Sequence, residues 1–412
     1  MRKTLLVIAL VFFALFAYPH KRALFNIIID TDGGQDDFRA ISLFCASADF
    51  NINAITSVDG VLFSNETANY VHELMQTYGH EGIPIGVGKD RKYKKTYRNH
   101  AIKAWQNLFP NISEKQLPDA QEVLLEALSN ERRPTIIVAL GPLGNIAELL
   151  REHPDIRKKI GQVIWYNSDA NLKSGYNLDV DIEAFKFLDA MHIPLKIVST
   201  PIKQTYSVEF WEILKEIEHS IYADSFIKFH EVFDNNEIQF WDDLTALYLC
   251  NLNFFSESFN TMGLPVLQPI QPFYPDILVS ALLNVNKTGE GVIFNEIPVS
   301  DHWIMLDIRD YVDSVVAKHG KAEFKIVAFA SEFHSHLGGY SIVGAKMGLR
   351  AMEYFHAGLD EIFVTSYAGY RPPLSCMNDG LQFGTGATIG YGSIKVKTDD
   401  LQAKARITYN KR

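Results

Sequence analysis

Asp30-Thr31-Asp32-Gly33-Gly34-Gln35-Asp36-Asp37 follows an apolar strand, Phe25–Ile29, and leads into a helical stretch, Asp37–Ala46. Four carboxylates within eight residues repel one another, so a fold that gathers them generally holds a cation there. Hard oxygen ligands favour Ca²⁺ or Mg²⁺ over Zn²⁺. Gly33 and Gly34 let the backbone turn sharply and approach a ligand. Asp36 and Asp37 open the helix, where the dipole favours negative charge. A group of helix-capping acids with no metal is the plainer alternative, but capping does not require four acids and two glycines after a strand.

Outward from this loop the pattern is strand then helix, repeated. Strands are expected at Ile52–Val58, Ile83–Val87, Thr135–Leu140, Val163–Tyr166 and Leu195–Val198. Helices are expected at Asn65–Tyr78, Ala120–Leu128, Leu143–Arg151 and Ile182–Ala190. This alternation predicts an α/β fold, a mostly parallel sheet with helices on both faces. Ligands on such sheets lie beyond the C-terminal strand ends, where the acidic loop falls. The stretch 209–254 reads as mostly helical, Pro265–Pro275 as a break, and Ile308–His319 as a helix before Gly320. A fresh strand, Phe324–Phe329, and a Gly- and Tyr-rich composition then mark a second, α+β domain, 320–412. The first domain spans 23–319.

At 412 residues and 47% hydrophobic, the chain is long enough for two cores at roughly 100–200 residues per domain. A net charge of −10 with no basic stripe excludes nucleic-acid backbones as main partners. Cys45, Cys250 and Cys376 are too few and scattered for a disulfide framework. Arg2 and Lys3 precede the apolar run Leu5–Ala17, which is shorter than the roughly 20 residues of a spanning helix. Residues 1–22 read as an export signal or N-terminal anchor. The expected location is therefore periplasmic or extracellular, with membrane association only through that segment if it stays uncleaved.

The acidic loop resembles the Asp-Thr-Asp-x-Gly-x-Asp-Asp signature of the inosine-uridine-preferring nucleoside hydrolases. Three further stretches are similar to that family's motifs, in its order: Ala139-Leu140-Gly141-Pro142-Leu143-Gly144-Asn145, Gly175–Ala184, and Trp241-Asp242-Asp243-Leu244. Across about 26–319 the resemblance implies a Ca²⁺ held by Asp32, Asp37, Asp242 and the backbone carbonyl of Gly144. It implies that Asp32 takes a proton from a water attacking an oxocarbenium-like anomeric carbon. Asp36, Asn177 and Asp242 would contact the sugar of a nucleoside-like riboside. Asp30 would support the loop. Members are commonly oligomeric, so self-association is also implied.

Three positions depart from the family. Gly175 replaces an acid before Asn177, Val61 replaces an Asn after Thr56–Gly60, and Trp241 replaces a His before Asp242. Two lost sugar contacts at roughly 1.5–3 kcal/mol each lower affinity for an ordinary ribonucleoside about a hundredfold or more. Asn171 and Asp59 are the candidates to compensate. An indole at 241 stacks on an aromatic aglycone but does not act as an acid near neutral pH. The intact acids favour a hydrolase; the three departures favour a Ca²⁺-containing protein that binds a sugar or nucleoside without cleaving it.

In the second domain, Phe333-His334-Ser335-His336 ends the expected strand, which would point both imidazoles to one face. With Cys376 and Asp379, they would suit Zn²⁺; unrelated surface and core roles are the equal alternative. About 324–412 resembles the family of the E component of formylmethanofuran dehydrogenase through His334, His336, Cys376, Asp379, Gln382, Thr385 and Gly386. Gly338 and Gly339 stand where that family has Cys-Pro. A metal or small-ligand pocket is implied, and a weaker reading puts the protein's chemistry there.

Overall fold

The computed structural model describes residues 25–270, 279 and 304–409, apart from 48, 92, 94–97, 111, 113, 201–205, 217–220, 233–239, 251, 359–360 and 400. The export segment expected at 1–22 lies outside the described residues. Among the described residues no helix is long and apolar enough to cross a membrane.

The first compact unit covers 25–325 and takes in 354–356; the second covers 326–353 and 357–412. The first is built on eight strands: β1 Phe25–Thr31, β2 Phe50–Ser57, β3 Ile85–Val87, β4 Thr135–Ala139, β5 Ile160–Tyr166, β6 Leu195–Val198, β7 Phe255–Phe259 and β8 Pro265–Pro269. Their order is β3-β2-β1-β4-β5-β6-β8-β7. Pairing is parallel everywhere except between β7 and β8. The α/β expectation is met. Both faces of β1 and β2 are buried, which is why their sequences run apolar rather than alternating.

Strand order reverses at β1: the chain runs from it outward to β2 and β3, then returns to lay β4 on its other side. The loops leaving β1 and β4 therefore part and open a crevice beyond the strand ends. Two buried indoles fix these loops. Trp105 packs on Phe38, ring centroids 4.5 Å apart, and donates to the Gly33 carbonyl at 2.9 Å. Trp165 donates to the Gly141 carbonyl at 3.1 Å.

The expected break at Pro265–Pro275 is corrected in its first part. Pro265–Pro269 is a strand, paired to β6 through Val266 and Leu267. Its prolines stand at the two ends, where the missing N–H costs little. Helix Arg98–Leu108 and the short helix Tyr176–Val180 had no expected counterpart.

The strand expected at Phe324–Phe329 is a helix, part of Leu306–His334, with non-helical geometry at Gly320. No turn signal interrupts the chain between Gly320 and Gly338, and that length exceeds an ordinary strand. The second unit also holds helix Gly339–Phe355 as far as residue 353, and helix Met377–Thr385. Its small sheet has the order β10-β9-β11, with β9 Ile362–Ser366, β10 Ile394–Val396 and β11 Ala405–Tyr409.

Candidate active site

A cavity of about 570 Å³ opens at the crevice of the large sheet. Strand ends and the loops beyond them supply most of its lining: Asp32, Gly34, Gln35, Asp36 and Asp37 after β1, Leu140 after β4, Tyr166 at the end of β5, and Asn167, Ser168, Tyr176 and Asn177 beyond it. Val61, Ala101, Trp241 and Asp242 complete the wall.

The acids are placed by buried polar contacts. Asp37 Oδ2 accepts from the Thr31 hydroxyl and from the N–H groups of Asp32 and Gly33, at 2.9 and 3.2 Å for the latter two. Asp242 reaches the same point from a distant segment. Its neighbour Asp243 opens helix Asp243–Cys250 and pairs with Arg39 of helix Gln35–Ala46 at 2.8 Å, both side chains wholly buried. That ion pair locks the two helices so that ligand oxygens of Asp36, Asp37 and Asp242 lie within 4.8 Å of one another. Asp32 adjoins the group. A Cβ on Gly60 would stand 2.2 Å from Asp32 Oδ2, so only glycine lets the loop after β2 close over that carboxyl.

This clustering opposes ionisation. Burial first, and then the neighbouring acids, push the carboxyls of Asp32 and Asp242 well above the usual range. Asp37 is pushed up to about 7 by burial and by Asp36, against the pull of its hydrogen bonds. Asp32 Oδ2 and Asp242 Oδ1 are buried with no hydrogen-bond partner. An all-oxygen donor set with unpartnered buried carboxylate atoms fits a hard divalent cation.

Several expected residues stand elsewhere. Gly144 begins helix Gly144–Glu152 and faces Arg91 and Tyr93; it does not line the cavity, whereas Leu140 does. Leu140 directly follows β4, and its carbonyl accepts from the Asn177 amide at 2.9 Å. Asn171 is an exposed residue of a turn capped by Asp169 and is not in the lining. Asp59 is buried, engages Arg98 and the Arg91 N–H, and is likewise not in the lining. Asp30 accepts from Thr56 at 2.6 Å and Asn145 at 2.9 Å beneath the loop. Asn177 lines the cavity with both amide hydrogens donated, to the carbonyls of Leu140 and Tyr166 at 2.9 and 3.1 Å.

Gly175 has φ +128°, and a Cβ there would lie 2.2 Å from Asn167 Oδ1. Asn167 thus fills the space that a larger residue at 175 would need. Tyr166, Asn167 and Leu140 were not singled out in the sequence, yet each sits at or just past the end of a predicted strand. Ala101 and Tyr176 carried no such signal.

In the second unit, His334 Nδ1 lies 2.7 Å from Asp379 Oδ2, and the His334 and His336 rings are 4.3 Å apart. His334 is the last residue of a helix rather than of a strand and His336 lies two residues beyond it, with Ser335 between them turning at φ +62°. Cys376 is buried just before helix Met377–Thr385. Among the described residues, the acidic trio gathers ligand atoms closely enough for a metal, and the set His334, His336, Cys376 and Asp379 does not. Where a Zn²⁺ site was expected, the described residues form a His–Asp pair with a second imidazole beside it.

Comparison with known proteins agrees with this division. Residues 27–292 match the family described as inosine-uridine preferring nucleoside hydrolase. Residues 333–411 match FmdE, molybdenum formylmethanofuran dehydrogenase operon. A pyrimidine-specific ribonucleoside hydrolase RihA of Escherichia coli O1:K1 is 26% identical over 227 residues, covering 50% of this chain and 72% of that protein. An inosine-uridine preferring nucleoside hydrolase of Bacillus anthracis superposes with a TM-score of 0.55 at 16% identity, over 63% of this chain and 99% of the other. A plant nucleoside hydrolase superposes with a TM-score of 0.54 at 20% identity, over 64% and 98%. These two likenesses show the fold.

Proposed function

The chain belongs to the inosine-uridine preferring nucleoside hydrolase family, and on that premise we propose that it hydrolyses the N-glycosidic bond of a nucleoside-like riboside with the help of one bound Ca²⁺. The carrying observation is the meeting of Asp36, Asp37 and Asp242, with unpartnered carboxylate oxygens, in the wall of a 570 Å³ cavity. Asp32, Asp37 and Asp242 would hold the ion with the carbonyl of Leu140, while Asp36 remains for a sugar hydroxyl. Bound there, Ca²⁺ supplies a fixed positive charge that orients ribose hydroxyls and makes a coordinated water more acidic.

Asp32 is the general base. The N–H groups of Val61 and Gly34 favour its charged form, and its Oδ2 has no other partner, so that oxygen is available to take a proton from water. Asn177 holds its amide on two backbone carbonyls and presents Oδ1 as an acceptor for a sugar hydroxyl. Tyr166, Tyr176 and Trp241 supply an aromatic wall for the aglycone. Export through residues 1–22 is part of the same proposal; mass spectrometry of the secreted chain reads the cleavage point.

Hydrolysis of p-nitrophenyl riboside, before and after removal of metal by a chelator, tests the activity. Release of p-nitrophenol that is lost with the chelator and restored by Ca²⁺ is expected. A protein that binds the riboside and never releases p-nitrophenol is the binding protein instead, a reading favoured by the lack of an imidazole among the described lining residues.

A further inference from the structure

We infer, on the hydrolase reading of the cavity, that Asn167 is a positioning residue: it holds the turn before helix Tyr176–Val180 so that Asn177 meets the sugar and Tyr176 stays in the cavity wall.

Tyr176 and Asn177 reach the cavity from a helix of five residues. A helix that short does not stand alone, and no side-chain hydrogen bond caps its start at Gly175. Its position is therefore set by contacts from outside. Two buried carboxamides supply them. Asn177 donates to the carbonyls of Leu140 and Tyr166 at 2.9 and 3.1 Å. Asn167 donates to the carbonyls of Asp169 and Ser174 at 2.9 and 3.0 Å. The first grips the end of β5 from the helix; the second grips the residue before Gly175 from the end of β5.

Asn167 is the fixed partner of the two. It follows the last residue of β5, and its own N–H donates to the Val198 carbonyl of β6 at 3.1 Å, so the sheet anchors its backbone. The turn it closes is stiffened from within by Asp169, which accepts from the N–H groups of Asn171 and Lys173 at 2.9 and 3.0 Å. Gly175 then leaves the turn at φ +128°, and a Cβ there would stand 2.2 Å from Asn167 Oδ1 and 2.6 Å from its Nδ2. Glycine at 175 is what lets the carboxamide lie across the chain and reach Ser174.

The amide nitrogen makes this hold. Asn167 Oδ1 is buried with no hydrogen-bond partner among the described residues, whereas Nδ2 gives its hydrogens to the turn. Asn167→Asp therefore keeps the shape and reverses the contact: a carboxylate has no hydrogen to give and sets an oxygen against two carbonyl oxygens. Released at Ser174, the helix start shifts, and the Asn177 oxygen moves away from the sugar with it.

The test is a double-mutant cycle on the full Ca²⁺-loaded chain, read as kcat and KM for p-nitrophenyl riboside. Asn167→Asp should lower kcat/KM about 10- to 100-fold, mainly through KM, because a sugar hydroxyl is held alike in the ground and transition states. Asn177→Ala should lower it by a similar factor, and the double variant should lose no more than about twofold beyond Asn177→Ala. Should Asn167→Asp not fold, as judged by circular dichroism, Asn167→Ala takes its place in the cycle. Losses that multiply across the two sites, or a kcat/KM unchanged by Asn167→Asp, overturn this inference and leave the hydrolase intact. If the unsubstituted chain binds the riboside without cleaving it, the hydrolase reading fails, and the same cycle read as Kd by calorimetry decides the role of Asn167. A chain that neither binds nor cleaves the riboside overturns both.

Discussion

Two regions of this molecule concentrate titratable side chains, and they resolve the resulting electrostatic problem differently. At the crevice of the large sheet, acids from segments two hundred residues apart are pressed together with oxygens left unpartnered. In the second unit, His334 is matched with Asp379, and His336 Nδ1 lies 3.2 Å from the His334 carbonyl. The first arrangement presses like-charged groups together; the second sets one imidazole nitrogen against a carboxylate while His334 Nε2 stays buried without a hydrogen-bond partner. Density of chemical side chains in a sequence does not by itself locate a metal. What distinguishes the two is whether burial leaves charge uncompensated.

The widest contrast is in catalysis. Asp242→Ala removes one carboxylate and leaves the Arg39–Asp243 pair in place. Losing the cation's several kcal/mol should lower kcat/KM for p-nitrophenyl riboside about a thousandfold. The double variant His334→Ala/His336→Ala should leave that rate within about twofold, because neither histidine is among the residues lining the cavity. A large loss in the double variant would erase the distinction and move chemistry into the second unit.

Next in size is stability. Calcium at about 100 times its dissociation constant should add about 2.7 kcal/mol to the fold, read as a rise in Tm that a chelator reverses. Without metal, the buried acids make stability depend on pH. Asp37 is raised from 3.8 to about 7, and Asp30 and Asp243 to about 6, in each case mainly by burial. The folded chain therefore binds more protons than the unfolded chain between these limits, and stability falls as pH rises through that window. Thermal melts of chelated protein should show this fall, and Ca²⁺ should flatten it. A Tm that rises from pH 4 to 7 in chelated protein would contradict the clustering.

Gly175 tests the packing of the wall. Gly175→Glu forces a side chain onto φ +128° and into Asn167, at a cost of about 1–3 kcal/mol for the backbone alone. Adding Asn167→Gly should recover the overlap part of that loss and not the backbone part. Equal denaturation midpoints for the single and double variants would show that Asn167 is not what fills the space.

The smallest effect is expected at the His–Asp pair. His334→Ala should cost about 1–3 kcal/mol, the loss of one charge-assisted hydrogen bond, with transition-metal content unchanged by elemental analysis. A drop in bound Zn²⁺ would restore the metal cage.

The sequence made the sheet legible because its strands are continuous apolar runs between helices of clear period, and because β1 delivers Asp32, Asp36 and Asp37 to one strand end. Asp242 was reachable through motif resemblance, but the cause of its position, the buried Arg39–Asp243 pair, joins residues with no local signal. The motif resemblance points to Gly144 as a backbone ligand, whereas Leu140, just past β4, is the residue of that segment that lines the cavity. The run Phe324–Phe329 misled because a short apolar stretch has no period of its own. Asn167 was invisible because its role depends on what Gly175 lacks.

Calorimetric titration of Ca²⁺ into chelator-treated full-length protein, beside Asp242→Asn, tests the central claim most directly. One ion per chain, with proton release near neutral pH and binding abolished in Asp242→Asn, is the predicted result. No heat in the unsubstituted protein, or equal binding in Asp242→Asn, would contradict a cation held by these carboxylates.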